Sequence, residues 1–466
     1  MKLPENVLTL LQQLEDAGYP CYAVGGCVRD HLLGLQPHDF DLCTAATPSQ
    51  IKALFAHYPQ VLAGEKHGTV GIITDNSVVE ITTFRTEGDY LDNRHPQQVC
   101  FVTSIEEDLS RRDFTVNAMA YSPLRGLCDP FGGAEDLKNG ILRAVGQPKK
   151  RFQEDSLRIL RGMRFAVRFR LQVEEETGKA MFDLAPLMEN LARERVFEEL
   201  CKFLLLAKAE DLLTFAPIIT QVIPELAPLV GFDQHSHHHR YDIYTHTAHV
   251  VEHVEGDLAL RWAALLHDAG KPGTFTLDGQ GQGHFYGHAK ESAVLADQIL
   301  LRLKAPTALR QQVVTLVEQH MTYPEPEKKQ LRRRLSRLGG EMLGKLLILQ
   351  EADTGSKGTG KEENGDYFRE IRAILQQIQA EESCLSVRDL VVNGHDLMDL
   401  GMTGPAIGQC LNRLLEQVMD ESLPNEKAAL LQAAQPLPPG ERVCGFAAVA
   451  PTGRQIQSST EPQTEI

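Results

Sequence analysis

The chain has 466 residues, 42% of them hydrophobic, 24% charged and 6% aromatic, with a formal net charge of −16. Such a length accommodates roughly two to four domains, each with its own core, and the composition excludes the disordered and fibrous classes. The acidic balance excludes a protein that coats nucleic acid over its whole surface, so any RNA contact has to come from a local basic patch.

Leu8, Leu11 and Leu14, set between Gln and Glu, predict a polar amphipathic helix at the N-terminus, without the basic stretch and long apolar run of a signal peptide. No window approaches the roughly 18 uninterrupted apolar residues of a spanning helix. The reading is a cytoplasmic protein with no membrane partner. Nine cysteines lie between Cys21 and Cys444 with no C-x-x-C pair, which argues against a disulfide framework and against a thiolate zinc site.

Residues 20–130 mix short β-rich runs (Cys21–Val24, Thr69–Thr74, Val78–Phe84 and Gln98–Phe101) with helical segments, and predict a small α/β domain. Gly25 and Gly26 follow the first run and precede an apolar helical turn at Leu32 and Leu33. Two adjacent glycines either let backbone N–H groups close on a polyphosphate or form a plain tight turn. About 14 residues later, Phe40 and Leu42 alternate with Asp39 and Asp41. In an extended strand, residues two apart share a face, so both carboxylates converge on one point. Like charges that close repel unless cations neutralise them, and hard oxygen ligands select Mg²⁺. Glu80, in the alternating run Val78–Phe84, is a third candidate, either at the metal or as an exposed strand acid. Two Mg²⁺ ions on such carboxylates suit an in-line displacement at phosphorus.

From about residue 150 the apolar spacing turns helical, as in Leu157, Leu160, Phe165 and Val167. The stretch Arg143–Arg170 sets Arg143, Lys149, Lys150, Arg151, Arg158, Arg161, Arg164, Arg168 and Arg170 against only Glu154 and Asp155. Within it, Glu154–Arg161 reads as one helix, which puts Asp155 and Arg158 on one face. Such a pair is either a surface ion pair or a template for a base. As a template, the carboxylate accepts from the exocyclic amine of C or A while the guanidinium donates to a ring nitrogen or carbonyl. Uracil and guanine would leave both groups unmatched. Arg161, one turn on, either stacks near the base or holds the template in place.

His246, His267, Asp268, His288, His320 and Asp353 fall in the order of the H…HD…H…H…D layout, which resembles that of HD phosphohydrolases. Imidazole and carboxylate together suit a divalent transition metal, or Mg²⁺, that would activate water against a phosphoester. His235–His239 reads as a polar loop ahead of these helices. A second basic cluster, Lys328, Lys329, Arg332, Arg333, Arg334 and Arg337, either touches phosphate or is a solvated helix face.

The motifs GGCVRDHLLG from Gly25, DFDLCT from Asp39, EITTFRTEGDYLDNRHP from Glu80, RRDFTVNAMAY from Arg111 and EDSLRILRGMRF from Glu154 occur in that order. Over most of residues 20–435 the chain resembles the bacterial tRNA CCA-adding enzyme and poly(A) polymerase family. The resemblance implies an α/β nucleotidyltransferase head of the polymerase-beta-like fold, followed by an all-α neck, an HD domain and a C-terminal helical region. The corresponding divisions are 1–140 for the head, 141–225 for the neck, 226–365 for the HD domain, 366–436 for the C-terminal region and 437–466 for a disordered tail. It further implies template-independent addition of CCA to a tRNA 3′ end from CTP and ATP. Arg29 then belongs to the nucleotide site with Gly25 and Gly26, Arg111 or Arg112 contacts phosphate, Asp113 the ribose hydroxyls, and Asn117 supports the same pocket. The loop Glu87–His95 would accompany the switch from C to A, and Glu194–Leu200 would support the pocket. The rival readings are a poly(A) polymerase with the same head, an HD-type RNA-end phosphohydrolase, and a non-catalytic tRNA-binding protein.

Overall fold

The computed structural model describes residues 1–37, 39–74, 77–87, 99–236, 240–357, 365–381 and 384–435. Nearly all of the loop expected at Glu87–His95, the histidines 237–239 and the tail from 437 lie outside the described residues. The chain divides into two units, Met1–Pro326 with Leu338–Ala373, and Glu327–Arg337 with the chain from Ile374 onward.

The first unit begins with helix Glu5–Asp16, which buries Val7, Leu10, Leu11 and Leu14. Leu8, expected on the apolar face, is instead 40% exposed, because Val7 and Leu10 complete the packed stripe with Leu11 and Leu14. The strands that follow are β1 (Cys21–Val24), β2 (Asp41–Thr44), β3 (Gln60–Val61), β4 (Thr69–Thr74), β5 (Ser77–Thr83), β6 (Arg85–Glu87), β7 (Val99–Phe101), β8 (Ala120–Ser122) and β9 (Gly126–Cys128). Seven of them form one mixed sheet in the order β3-β4-β5-β2-β1-β8-β9, and β6 pairs with β7 separately. β1 is buried along its whole length, as a central apolar run covered on both faces has to be.

Register decides what happens at the end of this sheet. Val24 at the end of β1 pairs with Asp41 at the start of β2, so the Gly25 turn and the Asp41 carboxylate leave the sheet at the same edge. β2 runs parallel to β5 with Leu42 opposite Ile81. The preceding residues, Asp41 and Glu80, are therefore lateral neighbours.

Beyond the head the first unit is helical apart from two two-stranded sheets, Ile141–Leu142 with Gln172–Val173 and Phe275–Leu277 with Gly283–Phe285, so the neck expected to be all-α carries one short strand pair. The helix expected over Glu154–Arg161 is broken: one helix covers Pro148–Glu154, Asp155 is extended (φ −140°, ψ 103°), and a second helix covers Leu157–Phe169. The cause is local, since the Asp155 carboxylate accepts the Leu157 N–H at 3.0 Å and so competes with helical pairing. In the second unit a small core forms around Val392, Leu397, Leu414 and Leu430. There four cations of the Lys328–Leu338 helix pair within their own unit: Lys328 with Glu381, Lys329 and Arg333 with Asp420, and Arg332 with Glu381 and Glu421. The cysteines among the described residues are free thiols.

Candidate active site and a second buried cluster

Gly25 has φ +71° and ψ −121°, a backbone region closed to residues with a side chain. A Cβ there would also stand 2.9 Å from Nη1 of Arg112. The turn thus lets an arginine lie flat against the chain at the mouth of a cleft of about 460 Å³. Gly25, Gly26 and Asp41 line the cleft on one side, together with Arg29, Asp113 and Asn117. Asp155, Arg158, Arg161, Arg164, Arg168 and Arg195 line it from the helical side, and Arg111 and Arg112 complete it. Eight arginines thus face three aspartates, a strong local excess of positive charge in an acidic chain.

Asp41 reaches solvent, yet the protein around it displaces enough water to raise its carboxyl above the ordinary value; Glu80 and Asp39 add to the rise and Arg112 opposes it. Asp41 therefore feels both other carboxylates at this edge, a charge pattern that suits cation binding. Glu80, which the sequence left between two readings, joins them through the β2–β5 register. Asp39 precedes β2 rather than lying in it and is exposed, because the strand begins only at Asp41. The single strand face expected for the pair is not what brings their charges together.

Asp113 is 7% exposed. Burial alone would push its carboxyl up, but Arg161 and Asn117 outweigh this and hold it at about 2, against an ordinary 3.8. Arg161 donates to Asp113 Oδ2 at 2.8 Å from Nε, and Asn117 donates to Oδ1 at 3.0 Å. Arg29 donates to Asn117 and pairs with Asp30 at 2.6 Å, its guanidinium 4.3 Å from the centre of the Phe169 ring. Of the two roles open to Arg161, bracing describes its contacts. The expected Asp155–Arg158 pair does not form. Arg158 donates to Glu154 at 2.9 Å and to the carbonyls of Arg151 and Arg111, while Asp155 lies 3.6 Å from Arg195. The helix break explains this, since it removes Asp155 from the face that Arg158 shares with Glu154. Both side chains nonetheless reach the same cleft.

Sequence reasoning missed Asp108, and within the supporting element Glu194–Leu200 it did not single out Arg195 and Glu199. Asp108 is fully buried and bonds both Arg111 and Arg112, and Glu199 pairs with Arg164. The spacing of Asp108, three and four residues from the two arginines, suits helical ion pairs, but Glu106 and Glu107 beside it offer the sequence no way to single it out. The basic neck is otherwise dispersed into pairs such as Arg143–Asp136, Lys149–Asp183 and Arg170–Asp211.

A second constellation lies among the helices of the same unit. His246 comes from helix Ile243–His253, while His267 ends helix Leu258–Leu266 and is followed by Asp268. His288 opens helix His288–Arg302, His320 ends helix Thr307–Gln319, and Asp353 lies in helix Gly340–Gly355. All six are buried. Every imidazole faces a backbone carbonyl through Nδ1: His246 to Ser356 at 3.2 Å, His267 to Ala264 at 2.8 Å, His288 to Phe285 at 2.8 Å and His320 to Val317 at 2.6 Å. A carbonyl can only accept, so each Nδ1 carries a proton and each Nε2 points inward, where a metal would take its lone pair.

Those lone pairs converge. His288 and His320 approach to 3.3 Å through Nε2, His246 Nε2 is 3.0 Å from Asp353, and His267 Nε2 is 3.2 Å from Asp268. The ligand atoms of His246, His267 and Asp268 lie within 4.8 Å of one another, and so do those of Asp268, His288 and His320. Burial pushes the His320 imidazole down to about 4, with His267 adding to the effect, which keeps it neutral as a ligand must be. Lys271 lies 2.7 Å from Asp268. Mixed imidazole and carboxylate donors fit a divalent metal.

A mixed sheet carrying clustered carboxylates at the edge of an arginine-lined cleft, continued by helices, defines a nucleotidyltransferase. Residues 21–143 match the family model described as poly A polymerase head domain, 170–229 the one described as probable RNA and SrmB-binding site of polymerase A, and 285–434 that of tRNA nucleotidyltransferase domain 2. The CCA-adding enzyme of Levilactobacillus brevis is 36% identical over 434 residues, 92% of this chain and 97% of that protein, and the chain belongs to the CCA-adding enzyme family. The CCA-adding enzyme of Streptococcus gordonii is 47% identical over 201 residues, 43% of this chain and 50% of its own length. Among solved structures, the Bacillus stearothermophilus CCA-adding enzyme in complex with CTP superimposes with a TM-score of 0.68 at 27% identity, covering 93% of this chain and 97% of that one. The Thermotoga maritima enzyme complexed with tRNA shares the fold at a TM-score of 0.57 and 21% identity, with 92% and 95% covered. No helix among the described residues is long and apolar enough to cross a membrane.

Proposed function

We propose that the cleft adds C, C and A in turn to a tRNA 3′ end from CTP and ATP, without a nucleic-acid template. The observation that carries this reading is the meeting of eight arginines with the Asp41 edge in one cavity. A triphosphate brings several negative charges that guanidinium groups match two oxygens at a time. Asp39 and Asp41 would hold Mg²⁺, with Glu80 as neighbour, and bound Mg²⁺ would acidify the tRNA 3′-hydroxyl and steady the triphosphate. Arg111 and Arg112 take phosphate oxygens, with the Gly25 turn allowing close approach. Asp113, kept ionised by Arg161 and Asn117, accepts from ribose hydroxyls. Asp155 accepts from the exocyclic amine of C or A, and Arg158 turns from Glu154 toward the ring nitrogen or carbonyl, which leaves U and G unmatched. A cytoplasmic setting suits these substrates.

The experiment is to incubate the purified chain and Mg²⁺ with tRNA lacking its terminal CCA, offering each labelled nucleotide singly and CTP with ATP. Stepwise addition of two C and one A is expected. A long A tail would establish the poly(A) polymerase reading instead, and no extension at all would overturn both.

The buried histidine cluster favours a second activity at its own site. His246, His267, Asp268, His288, His320 and Asp353 would hold a divalent transition metal that supplies an activated water. A phosphoester on a damaged tRNA end, such as a 2′,3′-cyclic phosphate or a 2′-phosphate, is the substrate class. His267→Ala is expected to lower metal content and phosphoester hydrolysis while leaving C and A addition intact; unchanged metal content would sink this reading.

A further inference from the structure

We propose that Asp108 is a positioning residue for nucleotide addition, which holds Arg111 and Arg112 ready for the triphosphate without itself touching substrate. The proposal rests on reading the cleft as the nucleotide site. Asp108 closes the first stretch of helix Ile105–Ser110 and has no exposed surface. Its Oδ1 accepts from Arg111 at 2.8 and 3.0 Å and from the backbone N–H of Arg85 at 3.2 Å; its Oδ2 accepts from Arg112 at 3.3 Å. Around it, Phe84, Ile105 and Leu109 form an apolar cluster. A carboxylate in such surroundings is retained only when its donors compensate for lost hydration.

Both arginines line the cleft and Asp108 does not. Arg112 continues the line of contact, since it lies against the Gly25 turn that lines the same cleft. Asp108 therefore sits behind the phosphate-facing groups and fixes their rotamers before a nucleotide arrives. With its charge removed, the two guanidinium groups keep their own charges but lose a fixed anchor. The incoming nucleotide then has to order them, a cost that falls on binding more than on chemistry at Asp41.

The test compares Asp108→Asn with Arg111→Ala/Arg112→Ala and the triple variant, using steady-state kinetics on tRNA ending in C-C or lacking CCA. Asp108→Asn is expected to raise KM for CTP and ATP roughly tenfold, the scale of one weakened charge-assisted interaction. Its kcat should stay within about threefold and its KM for tRNA should not move. Added to the arginine-free background, the same substitution should change nothing further, because a residue that acts through its partners has no effect once they are gone. Thermal melting confirms that each variant is folded, and Asp108→Glu, which restores the charge, should recover part of the loss. A folded Asp108→Asn protein with unchanged nucleotide KM, or an equal further loss without the arginines, overturns the proposal. Should the arginine variant itself keep a normal nucleotide KM, the reading of the cleft fails instead.

Discussion

Replacing Arg161 by methionine removes the cation that keeps Asp113 ionised in a buried position. The gap between 3.8 and about 2, at about 1.36 kcal/mol per pH unit, amounts to roughly 2.4 kcal/mol. Arg161 is 34% exposed in its side chain, so solvent returns part of this, and about 2 kcal/mol is the working figure. In Arg161→Met, burial is opposed only by Asn117 and the more distant Arg158, and the Asp113 carboxyl moves up. The sign follows from linkage. In the native protein the folded value is depressed, so the stabilisation is complete above the ordinary value and is lost as pH falls toward about 2. The variant lacks that contribution, so its deficit is largest near neutral pH and narrows in acid. Hydrogen exchange of amides 114–120, compared between the two proteins at several pH values, reads this locally. Protection should fall by about 30-fold at neutral pH and by progressively less below about pH 5. Equal protection at neutral pH, or a deficit that does not change down to about pH 3.5, would refute the reasoning.

Other substitutions follow from the same geometry. Gly25→Ala combines a closed backbone region with a clash against Arg112, at about 1–3 kcal/mol of strain; KM for both nucleotides should rise, and unchanged kinetics would count against the close approach. Asp41→Asn should abolish addition of C and A but leave the metal content of the histidine cluster as it was, which metal analysis by mass spectrometry checks. Arg158→Ala should loosen base choice, read as increased incorporation of UMP or GMP; full retention of the C and A preference would remove Arg158 from base selection.

What could be seen in the sequence was set by local geometry. The glycine pair announces itself because only glycine takes the Gly25 backbone angles, and the strands from Cys21 and Thr69 follow from short β-rich runs. The six residues of the histidine cluster are legible as an ordered series of rare ligand types, although five separate helices have to bring them together. Helical periodicity misplaced Asp155, because a carboxylate that bonds the N–H two residues on breaks the helix it was counted on. Glu80 could not be assigned, since its partnership with Asp41 depends on a parallel register between strands nearly forty residues apart. Asp108 was invisible for the opposite reason: within a run of Glu and Asp before two arginines, nothing marks which acid is turned inward.

Charge carries the last distinction. The sequence left the Lys328–Arg337 cluster between phosphate contact and solvated face, and the second unit adds a third outcome, since Lys329 and Arg333 share Asp420 at 3.0 and 2.8 Å. A cation already paired with a carboxylate has to give up that partner on meeting phosphate and gains less from the exchange, so this helix should contribute little to tRNA affinity. Arg332, 8% exposed and bonded to Glu381 and Glu421, is a structural member whose removal should destabilise its unit. The test is the slope of log Kd for tRNA against log salt, with Lys329→Ala/Arg333→Ala set beside the native chain. Two lost phosphate contacts would flatten the slope by roughly 1.4 to 1.8; the pairing predicts a slope that stays as it was. A flattened slope would mean that Asp420 releases its partners to RNA, and the acidic unit would then have to be counted as part of the tRNA-binding surface.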